Sequence, residues 1–93
     1  MNDEGVQVRT VKIRNPMGLH ARPAAEMVKL AGRFQAQITI EKEGLEVNGK
    51  SIMGVLMLAA EQGSEMTIRG EGPDAADAVD ALVGLVDRGF EEL

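Results

Sequence analysis

Few residues of this 93-residue chain could carry out chemistry. It has one histidine, His20, two serines, Ser51 and Ser64, and no cysteine. The lack of cysteine excludes disulfides, thiolate metal sites and cysteine nucleophiles, and a single histidine cannot supply a two-histidine metal site. We therefore expect no metal site, and His20 is the first candidate for a chemical role.

The surroundings of His20 suit a phosphoryl group. The sequence predicts a turn over residues 15–18 and a helix from Ala21, so His20 stands where the helix begins. Backbone N–H groups there lack intrahelical acceptors, and together with the helix dipole they attract anions. Arg22 adds a guanidinium that suits phosphate oxygens. The same positive end disfavours an imidazolium, so we expect a neutral His20 that can attack phosphorus.

Two less specific interpretations stay open for these residues. A lone histidine where a helix begins can be a surface residue or a poor cap, and Arg22 can be a solvated residue of the first turn. A Ser-His-Asp hydrolase that uses Ser51 is a further alternative, but the sequence has no G-x-S-x-G motif around a serine. Ser51 instead precedes an apolar segment, where serine is a preferred helix cap.

The charge balance argues against nucleic acid as a partner. Ten basic and fifteen acidic residues give a net charge of -5, whereas binding to a phosphate backbone needs a basic face. Phe34 and Phe90 are the only aromatic residues, so the chain cannot build a stacking platform for bases.

Length and composition indicate one globular domain over residues 1–93, with 44% hydrophobic and 27% charged residues. Residues 52–60, the longest stretch without a polar side chain, are too few to cross a bilayer. Residues 1–5 are acidic and lack the cationic and apolar parts of an export signal. We expect residues 1–5 to form a flexible tail, and the protein to be cytoplasmic with no membrane insertion.

The elements that must position His20 follow from the hydrophobic pattern. It predicts strands over residues 6–14, 35–41, 45–47 and 65–69, and helices over residues 21–30, 52–58 and 73–88. Glu43-Gly44 predicts the hairpin turn between the second and third strands. The order β-α-β-β-α-β-α is typical of an α+β fold with helices on one face of a mainly antiparallel sheet.

Two sets of residues describe the expected packing. The last helix should bury one stripe, made of Ala75, Val79, Leu82, Val83, Val86 and Phe90. The open face of the sheet should carry Thr39, Glu41, Thr67 and Arg69. Asp74 should favour the positive end of the last helix, and Gly89 should end that helix.

Two sequence blocks resemble a known family. Gly18-Leu19-His20-Ala21-Arg22-Pro23-Ala24 resembles the histidine signature of the HPr family, the histidine-containing phosphocarriers of the bacterial phosphotransferase system. Lys50-Ser51-Ile52-Met53-Gly54-Val55-Leu56 resembles the serine site of that family. The spacing of the blocks and the element order extend the resemblance from about Val6 to the last residue.

The resemblance implies a fold and a reaction. The fold would be an open-faced β-sandwich, a four-stranded antiparallel sheet covered on one face by three helices. His20 would accept a phosphoryl group at Nδ1 from the phosphohistidine of enzyme I and pass it to an enzyme II A component in sugar uptake. Arg22 would steady the group in both transfers, and no cofactor would be needed. Such a protein is not an enzyme, because it is itself the phosphorylated intermediate.

The resemblance also implies surfaces for these partners. Apolar docking residues around His20 would be Leu19, Ala21, Ala25, Ile52, Met53 and Leu56, with a basic rim of Lys29, Arg33 and Lys50. Met53 is the best candidate for exposure, whereas Val55 and Leu58 are expected in the core. Ser51 would be phosphorylated by an ATP-dependent kinase/phosphorylase. The oligomeric state stays open, with a monomer as the default expectation.

Two departures from the family pattern keep alternatives open. Met17 stands where many relatives have a small polar residue that can bond near the histidine, so the local stabilisation of His20 is expected to differ. Residues 87–93 look like the nitrogen-branch paralogue of the family. A nitrogen-branch phosphocarrier and a mainly regulatory partner-binding module are therefore the alternatives to a carrier for sugar uptake.

Overall fold

The chain forms strands and helices in the order that the sequence predicts. In the computed structural model, which describes residues 5–93, they are β1 (Val6–Lys12), α1 (Ala21–Ala31), β2 (Gln37–Lys42), β3 (Leu45–Asn48), α2 (Ile52–Met57), β4 (Glu65–Glu71) and α3 (Ala75–Asp87). A short 3-10 turn, Gly89–Glu91, follows α3 and is not predicted by the pattern. Within residues 5–93, no helix has both the length and the apolar composition to cross a bilayer.

The predicted N-terminal tail is only partly described. Its residues 1–4 lie outside the described residues. Gly5 is in a turn, and its carbonyl accepts a hydrogen bond from the N–H of Gly72 at 2.7 Å. This bond connects the residue before β1 to the residue after β4.

The strands form one antiparallel sheet in the order β1-β4-β2-β3. β1 and β4 pair along their whole length, from Val6 opposite Glu71 to Lys12 opposite Glu65. β2 and β3 form the predicted hairpin, and its turn residues Glu43 and Gly44 both have positive φ, 52° and 88°. A two-residue turn with positive φ at both positions matches the right-handed twist of the flanking strands.

Three helices cover one face of this sheet, as predicted, and the other face is open. In β4 the side chains of Met66 and Ile68 are buried, whereas the alternating residues Thr67 and Arg69 are not. The predicted open face is confirmed, because its four residues Thr39, Glu41, Thr67 and Arg69 are all more accessible than their buried neighbours. The core therefore lies between the helices and the inward-facing residues of the strands.

The predicted stripe of α3 is buried throughout, but its last member does not belong to the helix. α3 ends at Asp87, and Gly89, Phe90 and Glu91 have left-handed φ angles of 63°, 54° and 61°. Phe90, at 1% exposure, enters the core from this turn rather than from a continuing helix. Gly89 ends the helix as predicted, and the chain then reverses because left-handed residues follow it.

β2 begins two residues later than predicted, because Asp74 binds the backbone that precedes it. The Asp74 carboxylate accepts hydrogen bonds from the N–H groups of Gln35 and Ala36, both at 2.8 Å. Asp74 is also the N-cap residue of α3, yet its side chain makes no capping bond to that helix. The hydrogen bond from Gln35, opposed by partial burial, lowers the pKa of the Asp74 carboxyl below its ordinary value. This carboxylate fixes the loop between α1 and β2 against the beginning of α3.

Candidate functional site

The turn before α1 sets the position of His20. The Gly18 carbonyl accepts hydrogen bonds from the N–H of His20 at 2.9 Å and from Nδ2 of Asn15 at 2.8 Å. Gly18 has a φ of 68°, and a Cβ there would collide with the carbonyl of Ala60. The N–H of Leu19 donates to the same Ala60 carbonyl at 2.9 Å. The turn therefore packs against the segment that follows α2, and only glycine fits at its closest approach.

His20 is the N-cap residue of α1, as the sequence predicts, but its ring does not cap the helix. Its backbone is extended, its carbonyl accepts from the N–H of Ala24 at 3.0 Å, and its side chain makes no capping hydrogen bond. The N–H groups of Ala21 and Arg22 have no acceptor among residues 5–93, and Pro23 has no N–H. A partly exposed imidazole, 33% accessible, thus lies beside two open backbone donors.

The His20 ring contacts a carboxylate from the other end of the chain. Its Nε2 is 3.0 Å from Oε2 and 3.1 Å from Oε1 of Glu92. Glu92 Oε1 also accepts a hydrogen bond from Nδ2 of Asn15 at 2.9 Å. The contact with His20, opposed by desolvation and supported by Asn15, lowers the pKa of Glu92 below its ordinary value. This carboxylate provides a hydrogen-bond acceptor for the ring.

Glu92 and Asn15 are site residues that sequence reasoning missed. The pattern assigned Asn15 to a turn and left residues 87–93 as a terminal run, and neither signal brings the two together. Met17 stands where many relatives have a small polar residue, and its side chain is 74% exposed. The ring is held by Glu92 instead, across 72 residues of sequence.

Arg22 lies where the sequence places it, but its guanidinium is engaged elsewhere. The side chain is exposed in the first turn of α1, and its Nε is 3.6 Å from Oε2 of Glu26, one helical turn on. An exposed pair with this spacing contributes only about 0.3–0.5 kcal/mol. The guanidinium can therefore leave Glu26 at little cost when an anion occupies the end of α1.

Ser51 caps α2, as predicted. Its Oγ accepts a hydrogen bond from the N–H of Gly54 at 3.1 Å. Val55 and Leu58 are buried, also as predicted. Large apolar side chains are exposed on the remaining surface of this short helix: Ile52, Met53, Leu56 and Met57. Met53 is the most accessible of them at 69%, and Met57 is an exposed member that the sequence pattern did not single out.

One predicted docking residue is wrong. Leu19 is only 4% exposed and belongs to the hydrophobic core. The bond from its N–H to Ala60 holds this part of the turn against the body of the protein, which directs the side chain inward. Ala21 and Ala25, by contrast, are exposed on α1.

The predicted basic rim divides between two places. Lys29 and Arg33 line a shallow cavity of about 320 Å³ between α1 and the end of α3, together with Arg22, Glu26, Arg88 and Glu91. Lys50 is outside this cavity, and its Nζ donates to the carbonyl of Phe34 at 2.7 Å. In the described part of the chain, no group of three or more His, Asp or Glu side chains is arranged to hold a metal ion.

Known proteins similar to this chain share its length and fold. Residues 7–88 match a family model described as the PTS HPr component phosphorylation site. The chain is 46% identical over 84 residues to phosphocarrier protein HPr of Cupriavidus necator, covering 90% of this chain and 94% of that protein. It is 41% identical over 87 residues to phosphocarrier protein NPr of Proteus mirabilis, covering 92% and 97%. The crystal structure of HPr-C-His from Thermoanaerobacter tengcongensis matches with a TM-score of 0.90 and 44% identity, covering 94% of this chain and 98% of that one.

Proposed function

This chain belongs to the HPr family of phosphocarrier proteins of the phosphotransferase system, and we propose that His20 is the residue on which it carries the phosphoryl group. The donor is the phosphohistidine of enzyme I, and the acceptor is a histidine of an enzyme II A component. The relay runs in the cytoplasm with this chain as a monomer. The protein is the phosphorylated intermediate and needs no cofactor for that role.

The observation that carries this proposal is the partly exposed ring of His20 beside the open N–H groups of Ala21 and Arg22. A phosphoryl group on the ring carries a double negative charge, which suits free amides at the positive end of an 11-residue helix. Such donors stabilise the equatorial oxygens of the group during transfer. The exposure of the ring lets two different proteins reach it in turn.

Arg22 supplies the mobile cation of the site. When the group is transferred, its guanidinium leaves Glu26 and binds phosphoryl oxygens. The same side chain serves both transfers, since the phosphoryl group has the same charge to be balanced whether it arrives or leaves.

Labelling with phosphate tests both roles. Incubation with enzyme I and labelled phosphoenolpyruvate should give an acid-labile, base-stable label that His20→Ala abolishes. Arg22→Ala should slow both transfers about tenfold or more, whereas Arg69→Ala, on the open face of the sheet, should not. A label that persists in His20→Ala contradicts the proposal, and equal rates in the two arginine variants contradict the role of Arg22.

The partners dock, we propose, on the exposed apolar residues of α1 and α2. These are Ala21, Ala25, Ile52, Met53, Leu56 and Met57. Four of them are large side chains on one six-residue helix, which is more apolar surface than such a helix needs for its own packing. Lys29 and Lys50 are proposed as contacts for acidic residues of the partner. Methionine suits a surface that must fit more than one protein.

Ser51 is proposed as a regulatory phosphorylation site for a serine kinase/phosphorylase. A phosphate at the N-terminal end of α2 is electrostatically favourable, so the fold should survive the modification. The added charge would lie next to exposed Ile52 and Met53, where it would alter docking rather than the chemistry of His20.

A nitrogen-branch carrier is the second candidate, supported by 41% identity to NPr of Proteus mirabilis. Both branches use the same histidine chemistry and differ in the A component that accepts the group. Transfer from the labelled protein to a sugar-specific A component and to a nitrogen-type A component, measured side by side, separates them. A carrier for sugar uptake should favour the sugar-specific component by at least about tenfold.

A further inference from the structure

One residue of the site lies outside the part of the chain that the family model matches. Glu92 follows the matched residues 7–88, yet both of its carboxylate oxygens are within 3.1 Å of Nε2 of His20. Its side chain is only 16% exposed, so the carboxylate is largely enclosed. A partly buried charge needs polar partners, and its partners here are His20 and Asn15.

The backbone before Glu92 forms a turn that holds its side chain near His20. Phe90 anchors the turn in the core, while Phe90 and Glu91 both adopt left-handed conformations that residues with a Cβ rarely take. The N–H of Glu92 donates to the carbonyl of Gly89 at 2.9 Å, which closes the turn. Strained backbone of this kind persists where the surroundings hold it and is concentrated at functional sites.

Asn15 also binds the carboxylate of Glu92, at its Oε1 atom. It is fully buried, and its Nδ2 donates to both Glu92 and the Gly18 carbonyl. Its Oδ1 has no donor among residues 5–93. The two acceptors of Nδ2 set the orientation of this amide, although a buried oxygen without a donor is costly. Glu92 is therefore connected to the same turn that positions His20.

The contact decides where the ring proton lies. An ionised carboxylate can only accept a hydrogen bond, so the proton in this contact belongs to Nε2 of His20. In a neutral imidazole the other nitrogen, Nδ1, then has the free lone pair. We propose that Glu92 is a positioning residue for phosphoryl transfer, which keeps the proton on Nε2 and presents Nδ1 of His20 as the nucleophile.

This inference rests on the proposed function and specifies its chemistry. The Nδ1 lone pair forms the N–P bond while the bond from phosphorus to the donor histidine breaks, and that electron pair stays on the donor ring. The Nε2 proton remains in place, so the ring becomes a phosphoimidazolium whose positive charge faces Glu92. In the onward transfer the N–P electron pair returns to Nδ1. The leaving group is then a neutral imidazole that still has its Nε2 proton, rather than an imidazolate anion.

The direction of the contact also protects the transferred group. Nε2 and Nδ1 project from different sides of the imidazole, so the Glu92 carboxylate is directed away from the nitrogen that takes the phosphoryl group. Its negative charge therefore stabilises the ring without occupying the place of the phosphate oxygens. The open amides of Ala21 and Arg22 are left for those oxygens.

Nuclear magnetic resonance of the full chain with nitrogen-15 in the histidine ring tests the proposal without any partner. At a pH where the ring is neutral, the wild type should have its proton on Nε2 and exchange it slowly with water. Glu92→Ala should exchange that proton rapidly and populate the tautomer with the proton on Nδ1. Glu92→Gln, which keeps an acceptor oxygen, should restore part of the protection, and Glu91→Gln, which changes the neighbouring glutamate, should behave as the wild type.

Transfer rates give the second readout. With phosphorylated enzyme I, Glu92→Ala should be phosphorylated about tenfold more slowly, Glu92→Gln should be intermediate, and Glu91→Gln should match the wild type. Unchanged ring-proton exchange and an unchanged rate in Glu92→Ala would overturn the positioning role. If enzyme I does not phosphorylate the wild type at all, the proposed function fails, and the ring spectra still decide whether Glu92 holds the Nε2 proton. The backbone amide spectrum of each variant verifies the fold, and Glu92→Gln, which conserves shape, still tests the role if Glu92→Ala unfolds.

Discussion

At the level of single residues, two carboxylates bind groups that are distant in sequence: Glu92 binds the ring of His20, and Asp74 binds backbone N–H groups before β2. His20 leaves its own helix uncapped and turns its ring to Glu92, while Asp74 leaves α3 uncapped and binds the loop before β2. In both cases the side chain at a helix N-terminus makes no capping hydrogen bond and contacts a residue distant in sequence instead. Ser51 is the residue that caps in the usual way.

Asp74 should make the stability of the protein depend on pH. Its pKa is lower in the folded protein than its ordinary value of 3.8, because the N–H groups of Gln35 and Ala36 bind the charged form. The stability that it contributes is therefore complete above about pH 4 and is lost as the pH falls through the folded-state pKa. Asp74→Asn should lower the free energy of unfolding at neutral pH, and its difference from the wild type should shrink below about pH 4.

Urea unfolding of both proteins at a series of pH values measures that difference. Asp77→Asn, an exposed position in the first turn of α3, is the matched control and should give a nearly constant difference. A difference between wild type and Asp74→Asn that stays constant down to about pH 2 contradicts the assignment.

Ser51 should contribute to stability through its hydroxyl oxygen alone. Ser51→Ala removes the acceptor for the N–H of Gly54 and should lower the free energy of unfolding by about 1 kcal/mol. Ser51→Asp supplies another good capping oxygen and should stay within a few tenths of the wild type. Chemical denaturation distinguishes the two, and an equal loss in both variants would show that the cap is not the cause.

At the level of elements, the turn after α3 has a strained backbone, and Glu92 of the site follows it directly. Left-handed backbone at Phe90 and Glu91 costs about 1–2 kcal/mol for each residue. Burial of the Phe90 side chain returns about 1.5–3 kcal/mol, a gain of the same size as that cost. Burial of Phe90 therefore offsets most of the strain in the turn that carries Glu92.

Gly89→Ala should disturb this turn and the site together. Alanine at a φ of 63° is strained by about 1–2 kcal/mol, and its Cβ would also collide with the side chain of Leu93. We expect a lower free energy of unfolding and a changed ring spectrum for His20. Gly63→Ala, where φ is 90° and a Cβ meets no atom within 4 Å, should show the strain without the change at His20. The same ring spectrum in both variants would contradict the link between this turn and the histidine.

Local signals explain which parts of this structure could be predicted. The hairpin at Glu43-Gly44 and the cap at Ser51 depend on residues within a few positions of each other, and both predictions are confirmed. Glu92 could not be predicted, because its contact with His20 spans 72 residues and requires left-handed backbone that sequence patterns do not favour. The prediction for Leu19 was wrong for the same kind of reason, since its burial follows from a hydrogen bond to Ala60.

At the level of the whole molecule, the proposed docking residues lie on the helical side of an acidic protein. The net charge is -5, yet the cavity between α1 and the end of α3 is lined by four cationic side chains and two glutamates. The exposed apolar residues of α2 are on the helical layer as well, whereas the open face of the sheet is mostly polar. A partner that docks near His20 therefore meets a local surface unlike the average one.

A substitution at Met53 tests whether partners dock on α2 rather than on the sheet. Met53→Glu places a charge in the proposed docking surface and should raise the KM for phosphorylation by enzyme I about tenfold, equal to about 1.4 kcal/mol of binding, without loss of stability. Val8→Glu adds the same charge to an exposed apolar position on β1 and should leave KM unchanged. Steady-state kinetics with enzyme I decides, and an equal KM in the two variants would remove α2 from the interface.

The contact between Glu92 and His20 also makes the site depend on almost the whole length of the chain. The β2–β3 hairpin closes through a two-residue turn, whereas the bonds that join Glu92 to His20 and Asn15 close loops of 72 and 77 residues. The entropy cost of closing a loop grows with its length, so these two bonds carry a larger cost than the hairpin turn does. A chain that is still being synthesised and lacks Glu92 therefore presents His20 without the acceptor on Nε2.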